Sequence, residues 1–206
     1  MIVVISIILI LFSAKGRVIF SIIPGVSIKS LLLAIIKAIS FFKVGNDIDT
    51  DQIFPGRYLY LTSPEEVAVH AMEDAIPDFY KKIEGEDWVI AAGKNFGCGS
   101  SREQAPRAIL YAGIKAVVAE SFGRIFYRNA VNVGLSVIKY PDIFKEVNQS
   151  DSIKINLQDG FIVLYNPERK IPIEKYPAQL LTILKSGGLI PYLKKYGKYA
   201  HFIDKL

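Results

Sequence analysis

The amino-acid sequence predicts an α/β fold in which neighbouring strands run parallel. Three short apolar runs, DWVIAAG (87–93), KAVVAE (115–120) and LSVIKY (135–140), have the length and composition of buried strands. Two helix-like segments, PRAILYAGI (106–114) and SFGRIFYRNAVNVG (121–134), separate them, and Ser121 is a candidate cap of the second. The order strand, helix, strand, helix, strand at this spacing predicts a parallel layer.

The segment before this layer, FFKVGNDIDTDQIFPGRYL (41–59), begins as a short strand and continues as a loop rich in Asp, Asn and Gly. SPEEVAVHAMEDAI (63–76) predicts a helix. Ser63 is a suitable cap, Pro64 suits the first helical position, and the two glutamates that follow complement the helix dipole.

The segment after the layer predicts a hairpin and a helix. In SIKINLQDGFIVLYN (152–166), Asp159-Gly160 stands between alternating apolar runs, which is typical of a two-residue hairpin turn. YPAQLLTILKSGG (176–188) predicts a helix that ends at Gly187 and Gly188.

Residues 1–40 form an apolar N-terminal extension, and we place the main domain at residues 41–206. No apolar run in the extension reaches the roughly 18–20 residues needed to span a bilayer. Its first basic residue, Lys15, follows the first apolar run, unlike a secretory signal. Three interpretations stay open: a start-site artefact, a peripheral membrane or partner-binding segment, and extra core. The composition, rich in Ile, Leu, Phe and Lys, favours the first.

Composition and charge exclude several classes of protein. Charged residues make up 22% of the chain and aromatic residues 12%, as in folded globular proteins. The net charge is +5, but the basic residues are scattered, so no nucleic-acid-binding tail is indicated. One cysteine allows no internal disulfide, and no Cys or His pair has metal-ligand spacing. We expect a cytoplasmic protein that binds no metal itself.

The turn NFGCGSSREQAP (95–106) concentrates small and reactive residues between a strand and a helix. Gly97 and Gly99 let backbone N–H groups approach a ligand closely. Ser100 and Glu103 fit a capping-box pattern, and Arg102 offers a planar fork for a carboxylate or phosphate. This turn is therefore the candidate site for binding an anion.

Several functions are compatible with such a turn, including a capped turn with no ligand. A dinucleotide site needs a third glycine where Arg102 stands. A thiol nucleophile at Cys98 needs a base, and neither His70 nor His201 can be placed beside it from sequence. A phosphate loop would need G-K-[ST], which does not follow.

Three motifs together resemble a known family. NFGCGSSREQAP, GNDIDTDQIFPGRYL (45–59) and SFGRIFYRNAVNVG resemble the small subunits of 3-isopropylmalate dehydratase. They are also similar to homoaconitase small subunits and to the mobile C-terminal domain of aconitase. The resemblance covers residues 41–206 and implies a single swivelling β/β/α domain with a β-hairpin and C-terminal helices.

The resemblance also implies a function in leucine biosynthesis. The enzyme would isomerise isopropylmalate by dehydration and rehydration, with a [4Fe-4S] cluster on a large partner subunit and no cofactor on this chain. Ser100 would be the base. Further residues are implied to bind the small hydroxy-dicarboxylate substrate: Gly99, Ser101, Arg102, Asp49, Asp51, Arg57 and Tyr60. For Asp49 and Asp51, a role as caps in a polar turn is the alternative. Neither nucleic acid nor a membrane is expected as a partner.

The loop after Arg57 is implied to choose the substrate. A homoaconitase would favour an arginine at the position of Tyr60, and Tyr60 followed by Leu61 suits an isopropyl group instead. A homoaconitase, a broad-specificity subunit and a non-catalytic anion-binding module remain alternatives. Arg124 and Arg128 serve the site, the subunit interface or a solvated helix face.

Overall fold

The computed structural model of the chain describes residues 41–149, 151–165 and 167–197, and the backbone of 7–12, 18–23, 35–38 and 40. Its strands are β1 (Ile7–Phe12), β2 (Val18–Ile23), β3 (Ile35–Ala38), β4 (Ser40–Val44), β5 (Trp88–Ala92), β6 (Ala116–Ala119), β7 (Ser136–Lys139), β8 (Ile153–Asn156), β9 (Phe161–Tyr165) and β10 (Glu168–Pro172). Its α-helices are α1 (Thr50–Ile53), α2 (Pro64–Val69), α3 (Phe79–Lys82), α4 (Gln104–Tyr111), α5 (Arg124–Val133), α6 (Ile143–Glu146), α7 (Ala178–Lys185) and α8 (Leu189–Tyr196), and a 3-10 turn spans Gly56–Tyr58.

The parallel sheet has the strand order β4-β5-β6-β7. Phe42 lies opposite Ile90, Ile90 opposite Val117, and Val117 opposite Val137. Every residue of β5 and β6 is buried, as expected of strands covered on both faces. The predicted parallel layer is confirmed, and the short strand after the extension joins it as β4.

The antiparallel sheet has the strand order β10-β9-β8-β3. The hairpin at Asp159-Gly160 is present, but its loop has four residues, 157–160, where we predicted two. The side chain of Asn156 accounts for the longer loop. Its amide donates to the Asp159 carboxylate at 2.8 Å, and its carbonyl oxygen accepts from the Asp159 N–H at 2.9 Å. The sequence did not predict β10, which is largely polar.

Apolar side chains cover the parallel sheet on both of its faces. On one face, Ile90 belongs to a cluster with Phe126 of α5. On the other face, Val89 belongs to a cluster with Ile155 and Ile162 of the antiparallel sheet. The C-terminal helices α7 and α8 contact α5. The layers are therefore β/β/α, as the sequence resemblance implied.

The helix predicted over residues 63–76 is shorter than expected. Ser63 caps α2 by accepting from the N–H of Glu66 at 3.2 Å, as predicted, but α2 ends at Val69. Met72 then adopts a φ of 58°, and its N–H donates to the carbonyl of Ile53 at 2.7 Å. This contact with α1 overrides the helical pattern of the sequence.

Of residues 1–40, only strand backbone is described. β1 pairs antiparallel with β2, and β3 pairs with β8 at one edge of the antiparallel sheet. The proposed domain boundary falls just after the first residue of β4; the boundary and the origin of the extension both stay predictions. Within the part of the chain that the structure describes, no helix is long and apolar enough to cross a membrane.

Candidate active site at the carboxyl edge of the parallel sheet

Three loops that follow β4, β5 and β6 lie side by side at the carboxyl edge of the sheet. Backbone hydrogen bonds of 2.7–3.0 Å join them, donated by Gly97 to Ile48, by Thr50 to Cys98 and by Phe96 to Ser121. The turn 95–106 is thus held between its two neighbours in the order of the strands. Ligands bind at this edge in open α/β sheets.

Gly97 and Gly99 shape the turn through their backbone conformation. Their φ angles are 74° and 92°, a region that side chains disfavour. A Cβ at Gly97 would lie 2.2 Å from Cγ of Phe126, so the turn packs directly on α5. A Cβ at Gly99 would lie 3.3 Å from Oγ1 of Thr50, so the turn also approaches α1 closely.

Ser100 follows these glycines and contacts the β4 loop. Its side chain is exposed, and its hydroxyl oxygen lies 3.1 Å from that of Thr50, which is buried. Sequence reasoning missed Thr50, although it stands between the two aspartates of the D-T-D motif that we singled out. Ser101 is also exposed. The turn therefore exposes the hydroxyls of Ser100 and Ser101 at the edge of the sheet, and the Ser100 hydroxyl has the buried Thr50 hydroxyl as its partner.

Asp49 caps the helix that holds Thr50. Its carboxylate accepts from the N–H of Gln52 at 2.8 Å, and the Gln52 side chain accepts from the Asp49 N–H at 2.9 Å. This reciprocal pair is a capping box at the start of α1. Asp49 thereby fixes the position of the Thr50 hydroxyl.

Asp51 forms an ion pair with Arg102. Nη1 of Arg102 donates to Oδ1 of Asp51, and a Cβ at Gly56 would lie 3.4 Å from both atoms. The Arg102 side chain is 23% exposed. Among the described residues, its other guanidinium nitrogens have no hydrogen-bond partner. The structure thus brings Ser100, Arg102 and Asp51 together at one edge, with part of the arginine fork open.

Two predicted caps are wrong. Glu103, predicted to brace a capping box with Ser100, is itself the N-cap residue of α4, and its carboxylate pairs with Arg107. Ser121, predicted to cap the next helix, accepts from the N–H of Asn95 at 2.8 Å. Glu103 is thus engaged along its own helix, and Ser121 is engaged by the neighbouring turn, so neither side chain acts as the predicted cap.

The guanidinium of Arg57 is bound by two carboxylates. It donates to both Asp74 oxygens, at 2.6 and 2.8 Å, and to Oε1 of Glu73 at 2.8 Å. Tyr58 donates to the same Glu73 oxygen and stacks on His70 with ring centroids 3.6 Å apart. This cluster ties the loop after Arg57 to the segment that follows α2.

The same cluster shifts the pKa of both carboxyl groups. The hydrogen bond from Arg57 lowers the pKa of Asp74. Burial alone would raise the pKa of Glu73, but hydrogen bonds from His70, Arg57 and Tyr58 outweigh it and leave that pKa below its ordinary value. Tyr60, just beyond the cluster, is 75% exposed and thus accessible to a substrate or partner.

Cys98 has the properties of a packing residue. Burial, together with the negative charges of Asp49 and Asp47, raises the pKa of its thiol, so the thiol is neutral at physiological pH. Nδ1 of His70 lies 2.5 Å from Oε2 of Glu73, so this histidine is engaged by a carboxylate and not by the thiol. His201 lies outside the described residues. The thiol-nucleophile hypothesis therefore finds no base in the described part of the chain.

Comparisons with known proteins agree with this architecture. Residues 44–143 match the family described as the aconitase C-terminal domain. A crystal structure of 3-isopropylmalate dehydratase from Methanocaldococcus jannaschii superposes with a TM-score of 0.72 at 47% sequence identity, covering 83% of this chain and 98% of that one. The match covers nearly the whole of the solved chain.

Sequence relatives carry the same family name. The isopropylmalate/citramalate isomerase small subunit of M. jannaschii is 51% identical over 154 residues, which are 75% of this chain and 91% of the relative. The 3-isopropylmalate dehydratase small subunit of Halothermothrix orenii is 47% identical over 160 residues, or 77% of this chain and 95% of the relative. The chain therefore belongs to the 3-isopropylmalate dehydratase small-subunit family of the aconitase superfamily.

Proposed function

We propose that this chain is the small subunit of a heteromeric hydro-lyase that interconverts 2-isopropylmalate and 3-isopropylmalate by dehydration and rehydration. Membership of the family supports the reaction class. One observation supports the assignment to particular residues: the exposed Ser100 hydroxyl contacts the buried Thr50 hydroxyl on a glycine-shaped turn beside Arg102. These groups together provide a base and a carboxylate-binding cation.

In this proposal Ser100 removes the proton from the carbon beside a substrate carboxylate. A serine hydroxyl is a weak base, so its alkoxide form needs stabilisation by hydrogen-bond donors and positive charge. In the alkoxide form, Thr50 would donate its hydroxyl proton to the Ser100 oxygen, and Arg102 would supply the positive charge. Thr50 is buried, and Asp49 fixes the start of its helix, so the donor is held in place before the substrate binds.

Arg102 and Ser101 bind the substrate carboxylate. In the structure Asp51 occupies one side of the Arg102 fork, and the open nitrogens of that fork remain for a second carboxylate. Asp51 thereby orients the guanidinium, and Gly99 lets the turn approach Thr50 closely, because a side chain at position 99 would lie against that residue. Both residues serve substrate binding through Arg102 and Ser100.

The cofactor of this reaction would come from the partner. An iron-sulfur cluster needs three or four cysteine thiolates, whereas the sequence contains one cysteine, whose pKa is raised. The described residues contain no group of three His, Cys, Asp or Glu side chains that could hold a metal ion. A [4Fe-4S] cluster on the large subunit would supply Lewis-acid activation of the leaving hydroxyl. This chain's own residues would bind the substrate and move the proton.

The loop 57–61 would select the substrate. Arg57 is bound to Glu73 and Asp74, so we propose that it acts by holding this loop, and that Tyr60 and Leu61 contact the alkyl group. The M. jannaschii relative is named for citramalate as well as isopropylmalate, which makes citramalate, with a methyl group in place of isopropyl, a second candidate substrate.

Reconstitution with a cluster-bearing large subunit tests the proposal. We expect no turnover by the isolated chain and turnover by the mixture, with 2-isopropylmalate preferred over citramalate and homocitrate preferred least. Calorimetry on the isolated chain provides a separate check. Tight carboxylate binding without a partner, and no turnover with one, would favour the non-catalytic anion-binding module instead.

A further inference from the structure

A second concavity lies beside the catalytic turn, and its charges have no role in the proposed chemistry. It encloses about 290 Å³ and is lined by Ser121, Phe122, Arg124, Tyr127, Arg128 and Lys139. We call it the basic pocket. Phe122 pairs with Phe96 of the turn, and Ser121 accepts from the N–H of Asn95. The basic pocket therefore opens at the same edge of the sheet as Ser100.

The three cations of the basic pocket form no ion pair within the described part of the chain, although Glu174 shares an adjoining cavity with Lys139. Ion pairs engage each of the other described arginines, which are Arg57, Arg102, Arg107 and Arg169. For Arg124, Arg128 and Lys139, by contrast, no carboxylate oxygen of a described residue lies within 4.0 Å of a side-chain nitrogen. Glu120, the carboxylate nearest to Arg124 along the chain, makes no ion pair with them, and Asp142, the carboxylate nearest to Lys139, pairs with Lys145 instead.

The placement of these charges is unfavourable for the isolated subunit. Arg124 and Arg128 are four residues apart on α5, so the like charges face each other along the helix. Arg124 is also the first residue of α5, where the helix dipole disfavours a cation. An acidic partner would remove both penalties.

The remaining surface of the basic pocket has the composition of a protein interface. Phe122 and Tyr127 line it, and the neighbouring side chain of Ile125 is 44% exposed. Aromatic residues and arginines are enriched at the centres of protein–protein interfaces. A docked protein segment would cover this apolar surface, whereas a free small anion would leave much of it exposed.

We infer that the basic pocket docks an acidic segment of the large subunit. This inference rests on the proposed function, because the edge that carries Ser100 must face the subunit that brings the cluster. Carboxylates of the partner would neutralise Arg124, Arg128 and Lys139 as the two halves of the active site meet. The basic pocket would thereby set both the affinity and the orientation of the complex.

Binding of the purified large subunit, measured by sedimentation or calorimetry without substrate, tests this inference. The double variant Arg124→Glu/Arg128→Glu should raise the dissociation constant at least about 100-fold, and Arg124→Gln/Arg128→Gln about 10-fold. The control Lys194→Glu/Lys195→Glu makes the same change in net charge on the exposed side of α8. It should change the dissociation constant less than about 3-fold. Circular dichroism would verify that each variant is folded.

Three results would count against the inference in different ways. Equal dissociation constants for the pocket variants and the control would overturn it. An unchanged dissociation constant with a strongly raised KM for the hydroxy acid would show that the basic pocket binds substrate, and would also overturn it. A wild-type chain that binds no large subunit would overturn the proposed function, and this inference with it.

Discussion

The hydroxyl oxygens of Ser100 and Thr50 lie 3.1 Å apart, although the two residues are 50 positions apart in the sequence. Thr50 is buried in the first turn of α1, and Ser100 stands on an exposed turn. The contact brings a fixed hydroxyl to the residue that we propose as the base. The positions of these two side chains depend on pairing between the loops that follow β4 and β5.

Replacing Thr50 should slow catalysis more than it weakens substrate binding. Thr50→Ala removes the donor to the Ser100 oxygen, and we expect kcat of the reconstituted enzyme to fall roughly 100-fold. Thr50→Ser keeps the hydroxyl and should retain most of the activity. Steady-state kinetics would separate kcat from KM. Equal kcat values for the alanine and serine variants would contradict the donor role.

Gly97→Ala should destabilise the domain by about 2–4 kcal/mol. The new Cβ would meet Phe126 at 2.2 Å, on a backbone with a φ of 74°. Urea unfolding of the isolated chain measures the change. Adding Phe126→Ala should not restore full stability, because the positive φ remains and a cavity is created. Wild-type stability of Gly97→Ala would show that the turn does not pack on α5 as described.

The Arg57 cluster should make stability depend on pH in the acid range. The pKa values of Glu73 and Asp74 lie below their ordinary values of 4.5 and 3.8, so their stabilising effect is present above those values and is lost as the pH falls through the lowered ones. Arg57→Gln should therefore reduce the loss of stability on acidification. Urea unfolding between about pH 3 and pH 7 measures the free energy of unfolding of both proteins. Parallel curves for wild type and variant would contradict the ion pairs.

Tyr60→Arg should change the substrate preference of the reconstituted enzyme. Tyr60 is 75% exposed, so an arginine fits there without disturbing the core. We expect kcat/KM for isopropylmalate to fall about 10-fold or more, and that for homocitrate to rise, because the guanidinium can bind a distal carboxylate. Thr62→Arg, at an exposed position two residues further along, is the matched control and should have little effect. The same change in preference from both variants would contradict a specific role for Tyr60.

Local patterns in the sequence predicted most of the layers. The buried strands, the Ser63 cap and the glycine stop after α7 depend on residues that are close in sequence. The early end of α2 and the caps of α4 and α5 did not follow from local pattern, because Met72, Glu103 and Ser121 are held by other contacts.

The candidate site was predictable to a similar extent. The turn with Gly97 and Gly99 and the motif around Asp51 were identified from residue types and resemblance. The contact of Ser100 with Thr50 was not, because nothing in either motif indicates which of three adjacent side chains points inward. The sequence also did not show that Arg57 binds two carboxylates. Glu73 and Asp74 lie after the end of α2, in a segment for which the sequence predicted a continuous helix.

The turnover of Ser100→Ala in the reconstituted heteromer tests whether Ser100 is the base. Ser152→Ala, an exposed serine at the start of the antiparallel layer, is the matched control. We predict a loss of turnover on the order of 10³-fold for Ser100→Ala, with unchanged binding to the large subunit, and none for the control. Turnover of Ser100→Ala near that of the wild type would show that Ser100 is not the base.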